Sequence, residues 1–75
     1  MRTKYRHIYF DEVEFKNNHK TWLCRSNDGD DLLGVVGYGA WRQYTFSPYE
    51  NTEFSHDCLS DIAHFLRQAN KEVKR

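Results

Sequence analysis

Side chains with metal-ligating chemistry gather between His56 and His64, with Cys58 between the two imidazoles and Cys24 as the second thiol of the chain. A tetrahedral zinc site needs four convergent ligands, and its thiolates usually come in closely spaced pairs. No C-x-x-C occurs. Helical spacing sets Cys58 on an apolar face and His64 on a polar one, so a buried thiol with exposed histidines is expected, and no metal. Asp57, Asp61 and His64 share a helical stripe, a pattern that could serve acid–base chemistry. That stripe is the solvent side, with no nucleophile beside it and no pocket to shift a pKa. His7 and His19 fall on an N-terminal strand and a turn. There is no phosphate loop, no G-x-G-x-x-G and no G-x-S-x-G. The expectation is a protein that is not an enzyme and holds no cofactor.

The elements that must position these residues centre on Trp41-Arg42-Gln43-Tyr44-Thr45-Phe46-Ser47-Pro48, an aromatic strand closed by the only proline of the chain. Upstream, residues 5–15 favour β structure. Ile8 and Phe10 share one parity and Val13 and Phe15 the other, which one strand with a bulge near Asp11-Glu12, or two short pieces, would reconcile. Asn17-Asn18-His19 reads as a turn. A strand from Lys20 to Ser26 follows, then Asn27-Asp28-Gly29-Asp30, where Asp-Gly suits a type I′ hairpin. Asp31 to Val36 is the next strand, and Gly37-Tyr38-Gly39 permits a second reversal. Ser55 is the expected N-cap of a helix, with Asp57 in its first turn and a staple between Phe54 and Leu59. Apolar residues recur from Cys58 to Val73 at helical spacing, Asp57, Asp61, His64 and Gln68 take the wet side, and Lys71, Lys74 and Arg75 close the C-terminus. The predicted fold is α+β: a four-stranded antiparallel meander with one C-terminal helix on one face, in a single domain over residues 1–75.

Composition narrows the function classes. Eleven basic and eleven acidic residues cancel, which argues against an electrostatic nucleic-acid binder, while 16% aromatic residues must supply much of the core. The basic start of the chain is followed by no apolar run, so neither a secretory leader nor a membrane span is expected, and free thiols in a cytoplasmic setting follow.

Register assigns the faces. A two-residue Asp28-Gly29 turn sets Arg25 opposite Leu32, Cys24 opposite Leu33 and Trp22 opposite Val35. A loop over Gly37–Ala40 then sets Leu33 opposite Tyr44. Trp22, Cys24, Leu33, Val35, Tyr44 and Phe46 form the face under the helix. Leu23, Arg25, Leu32, Val36, Trp41, Gln43 and Thr45 form the open one. On that face Trp41 is the expected partner-binding anchor, Arg25 and Gln43 orient the partner, and Tyr38 forms a rim on its glycine-flanked turn. A sheet-based DNA-binding module, with Arg25 and Arg42 beside the tryptophans, and a homodimer through the open face are the alternatives.

The W-R-x-Y-x-F-x-P strand at Trp41–Pro48, then Thr52-x-Phe54 and Cys58-Leu59-x-Asp61-Ile62-x-x-Phe65-Leu66, with Leu33-Gly34-Val35-Val36 upstream, resembles small uncharacterised proteins of bacteriophages and prophages. The likeness covers roughly residues 20–70. It implies an accessory phage product acting in the bacterial host cytoplasm, of a kind that often binds and inhibits a host enzyme or defence complex.

Overall fold

The computed structural model describes residues 1–73. Strands β1 (Ile8–Lys16), β2 (His19–Ser26), β3 (Leu32–Tyr38) and β4 (Tyr44–Pro48) form one antiparallel sheet in the order β1-β2-β3-β4, followed by helix α1 (His56–Lys71). The fold is the ββββα arrangement expected from the hydrophobic pattern. Because the order is sequential, β1 and β4 are the two edges.

One face of the sheet and the inner face of the helix enclose the core. Ile8 and Phe10 of β1, Trp22 and Cys24 of β2, Val36 of β3 and Tyr44 of β4 meet Ile62, Phe65 and Ala69 of α1. Aromatic rings do most of the packing. Phe10 stacks on Phe65 at 3.9 Å, and Trp22 meets both Phe65 and Tyr44 edge to face. Such pairs add about 0.5–1.5 kcal/mol each beyond the area they bury.

The parity conflict in β1 is resolved by a bulge between Glu12 and Glu14, which leaves Val13 unpaired. The bulge returns Phe15 to the helix side, where it borders a hollow with Trp22, Tyr44 and Val73. Asn17 and Asn18 then carry φ of 54° and 66°, so the tight turn between Lys16 and His19 has both central residues left-handed.

The β2–β3 connection differs from the expected type I′ turn. Positive φ falls on Gly29 and Asp30 rather than on Asp28 and Gly29, and the Asp30 N–H reaches back to the Ser26 carbonyl at 3.1 Å. Arg25 still faces Leu32, as the sequence suggests, but a second bulge follows and Cys24 faces Gly34. That extra residue turns Val36, not Val35, into the core. The next connection shifts by a compensating step. Tyr38 pairs with Tyr44 and Val36 with Phe46, so the turn is Gly39–Gln43 and β4 begins only at Tyr44. Tyr44 and Phe46 therefore keep the inner face, while Trp41 and Gln43 leave the sheet for the turn.

The helix starts as its sequence demands. The Ser55 side chain accepts a hydrogen bond from the Cys58 N–H at 3.2 Å, and Asp57 lies in the first turn. Leu59, the expected staple partner of Phe54, is exposed, and Phe54 packs edge to face on Phe46. His64 and Gln68 are not on the wet side either. The N-terminal segment lies over them, with the Tyr5 hydroxyl 2.8 Å from His64 Nδ1 and Gln68 bonded to both the N–H and the carbonyl of Arg2. Lys71 ends the helix; the cationic Lys74 and Arg75 lie outside the described residues.

Candidate partner-binding surface

The five-residue turn Gly39–Gln43 carries an aromatic and a basic side chain side by side at Trp41 and Arg42, and the backbone there is unusual. Trp41 and Arg42 both adopt the left-handed region, at φ 64° and 55°. For a bulky side chain this is a rare conformation, disfavoured by roughly 1–2 kcal/mol per residue. Hydrogen bonds from Gly39 N–H to the Gln43 carbonyl and from Arg42 N–H to the Gly39 carbonyl, both 3.2 Å, close the turn. The Tyr38 hydroxyl donates to the Arg42 carbonyl at 3.0 Å, and the Tyr38 ring stacks on His19 at 3.7 Å. The indole of Trp41 is left 83% exposed.

Trp41, Gln43 and Tyr38 thus share one end of the molecule, but Tyr38 is a strand residue that braces the turn. Arg25 lies at the opposite end of the sheet, near the end of β2 and facing Leu32 of β3. It is half-buried on the open face, with Nη1 donating to the Asp30 carbonyl at 3.0 Å and Nε 3.8 Å from Asp11. Across from it, the Tyr9 hydroxyl donates to Asp30 at 2.7 Å, and this hydrogen bond to a carboxylate raises the phenol pKa. Arg25 is thereby tied into the β2–β3 turn. Between the two ends, Leu23 and Val35 pair across β2 and β3 and remain partly exposed.

Chemistry elsewhere is sparse. Cys24 is wholly buried, and loss of solvent, with a smaller contribution from Cys58, pushes its thiol up to about 12. Both cysteines are free. Burial likewise raises the Tyr5 phenol, against the lowering influence of Arg2. Among the described residues, no three of His, Cys, Asp and Glu gather as metal ligands, and no helix is long and apolar enough to cross a membrane.

Sequence reasoning missed a second surface. Edge strand β4 and helix α1 flank an open groove of about 650 Å³, lined on the helix side by Ala63, Leu66, Arg67, Asn70 and Lys71. The i, i+3, i+4 spacing of these helical residues was the available signal. No family model matches the chain, and no curated protein or solved structure matches it.

Proposed function

We propose that this chain is a non-enzymatic, phage-type accessory protein that binds a host protein or defence complex and inhibits it, with Trp41 as the anchor. One observation carries the reading: a tryptophan that is 83% exposed sits on a turn whose backbone is held left-handed at two successive non-glycine residues. Locally unfavourable conformations persist where surrounding contacts hold them, and they cluster at ligand clamps. Here Tyr38, stacked on His19, supplies that hold through its bond to Arg42.

An indole presented by a braced turn loses little further freedom when it is buried by a partner. Tryptophan is also the residue type most enriched where binding energy concentrates. Gln43 stands beside it as a hydrogen-bonding neighbour, and the partly exposed Leu23–Val35 pair extends an apolar area along the open face. Arg25 contributes by stiffening the β2–β3 turn through Asp11 and Asp30. The host context and the inhibitory outcome derive from the resemblance to phage and prophage proteins.

The test is affinity capture from bacterial lysate with the tagged chain, with and without nuclease, beside a Trp41→Ala variant. A protein partner that survives nuclease and is lost with Trp41→Ala is the expected result. Capture that disappears with nuclease, or that Trp41→Ala leaves intact, would overturn the reading.

A further inference from the structure

The backbone of β4 is half satisfied, and this determines what its edge can accept. Gly39 bonds Gln43 and Tyr49 bonds Leu33, so the intervening ladder bonds fall on Thr45 and Ser47. Alternation in an antiparallel pair then turns the N–H and C=O of Tyr44 and Phe46 away from β3, into the groove beside α1. At Tyr44 the position is filled. Its N–H donates to Asn70 Oδ1 at 2.6 Å, and Asn70 Nδ2 donates to its carbonyl at 3.3 Å. The Asn70 amide thus pairs with the edge as a residue of a fifth strand would. At Phe46, two residues along, neither group has a partner among the described residues.

The walls of the groove specify the occupant. Ala63 and Leu66 give an apolar floor beside Phe46. Arg67 and Lys71, one helical turn apart, stand on the rim and are exposed. No acidic residue lines the groove, and neither cation forms an ion pair with a described residue. From Ala63 to Lys71 the helix runs about 12 Å, which matches about four residues of extended chain. Pro48, with no N–H, ends the accessible edge.

We propose that an extended, acidic peptide segment of a partner protein docks in this groove, adding a short strand to β4 at Phe46 and placing its carboxylates against Arg67 and Lys71. This is strand addition, in which main-chain bonds supply affinity and the flanking helix supplies selectivity. The inference rests on the reading of the chain as a protein-binding module and states the chemistry of the segment bound. Asn70 fixes the register, because the peptide can pair only beyond the position that its amide occupies.

The experiment is selection of a displayed library of random linear octapeptides on the full chain. Enriched peptides would be titrated by fluorescence polarisation and mapped on amide resonances. Expected are sequences rich in Asp and Glu, with the largest shift at the Phe46 N–H. Arg67→Glu with Lys71→Glu should weaken binding by about tenfold or more, and Arg67→Gln with Lys71→Gln should weaken it less. Because N-methylation of alternate amides in the selected peptide leaves the protein untouched, it tests strand addition independently of folding; one of the two patterns should abolish binding. Failure to enrich any peptide, enrichment without acidic bias, tolerance of both methylation patterns, or shifts centred away from Phe46 would each overturn the inference. So would a mass that doubles with concentration and is reset by the charge reversals, since a second copy would then fill the groove. Trp41-dependent capture from lysate that survives the charge reversals would overturn the groove alone. Absence of any nuclease-resistant partner would overturn the module reading itself.

Discussion

The two tryptophans have opposite surroundings, and substitution should separate them. Trp22 is 2% exposed between Phe65 and Tyr44, so Trp22→Ala should lower stability by about 3–5 kcal/mol, read as a fall in the denaturation midpoint. Trp41→Ala removes a side chain with little to lose from packing, and its effect should stay within about 0.5 kcal/mol. Trp41→Gly is the more telling variant. Glycine adopts the φ of 64° freely, so stability should hold or rise by up to about 1 kcal/mol while partner capture is lost. A clear loss of stability in Trp41→Gly would mean that the indole packs usefully and that the turn is not strained for function. At this scale the sequence was legible where chemistry and parity agree, as for Trp22, Cys24, Tyr44 and Phe46 in the core. It was not legible at Trp41 and Arg42, because a left-handed backbone at non-glycine residues leaves no compositional trace.

Element by element, strand identity was readable and strand register was not. The run Leu32-Leu33-Gly34-Val35-Val36 is apolar at both parities, so alternation cannot say which valine faces the helix. The bulge opposite Cys24 decides it, setting Gly34 and Val36 on the helix side, with Leu33 partly buried against the core. Gly34 is required there. A Cβ at that position would lie 2.5 Å from the Phe46 ring and 2.8 Å from the Ser47 carbonyl oxygen. The ring can swing, but the carbonyl belongs to the paired strand and cannot move without straining the β3–β4 ladder. Gly34→Ala should therefore destabilise by about 1–3 kcal/mol, as overpacking of a filled core does. Gly37→Ala meets no atom within contact distance and should be close to neutral, both variants being compared by urea titration. Equal effects at the two glycines would show that β4 is less firmly seated than its register implies. The compensating shifts of the second and third connections also explain why the aromatic face of β4 was read correctly although Val35 and Val36 of β3 were exchanged.

At the scale of the whole molecule, one helix must hold a four-stranded sheet and the N-terminal segment together, and two protonated groups lie in that junction. Cys24 is enclosed beneath α1, and Tyr5 is clamped between Arg2, His64 and Gln68. The Cys24 thiol is raised to about 12 chiefly by burial, and the Tyr5 phenol is raised for the same reason. Unfolding returns them to ordinary values near 8.5 and 10. Between those values and the folded ones, the unfolded chain has released protons that the folded chain still holds. Stability must then fall as pH rises. The contribution of these groups is present in full below about pH 8 and is lost progressively on the alkaline side. Urea midpoints measured from pH 7 to pH 11 should decline from about pH 9 upward. Cys24→Ala should flatten the first part of that decline, despite a lower midpoint at pH 7 from the small cavity left behind. Tyr5→Phe keeps the ring against Phe10, removes the ionisable hydroxyl, and should flatten the later part. An alkaline limb that neither substitution alters would assign the pH dependence to exposed tyrosines and lysines, and would imply that water reaches the junction between helix, sheet and N-terminal segment.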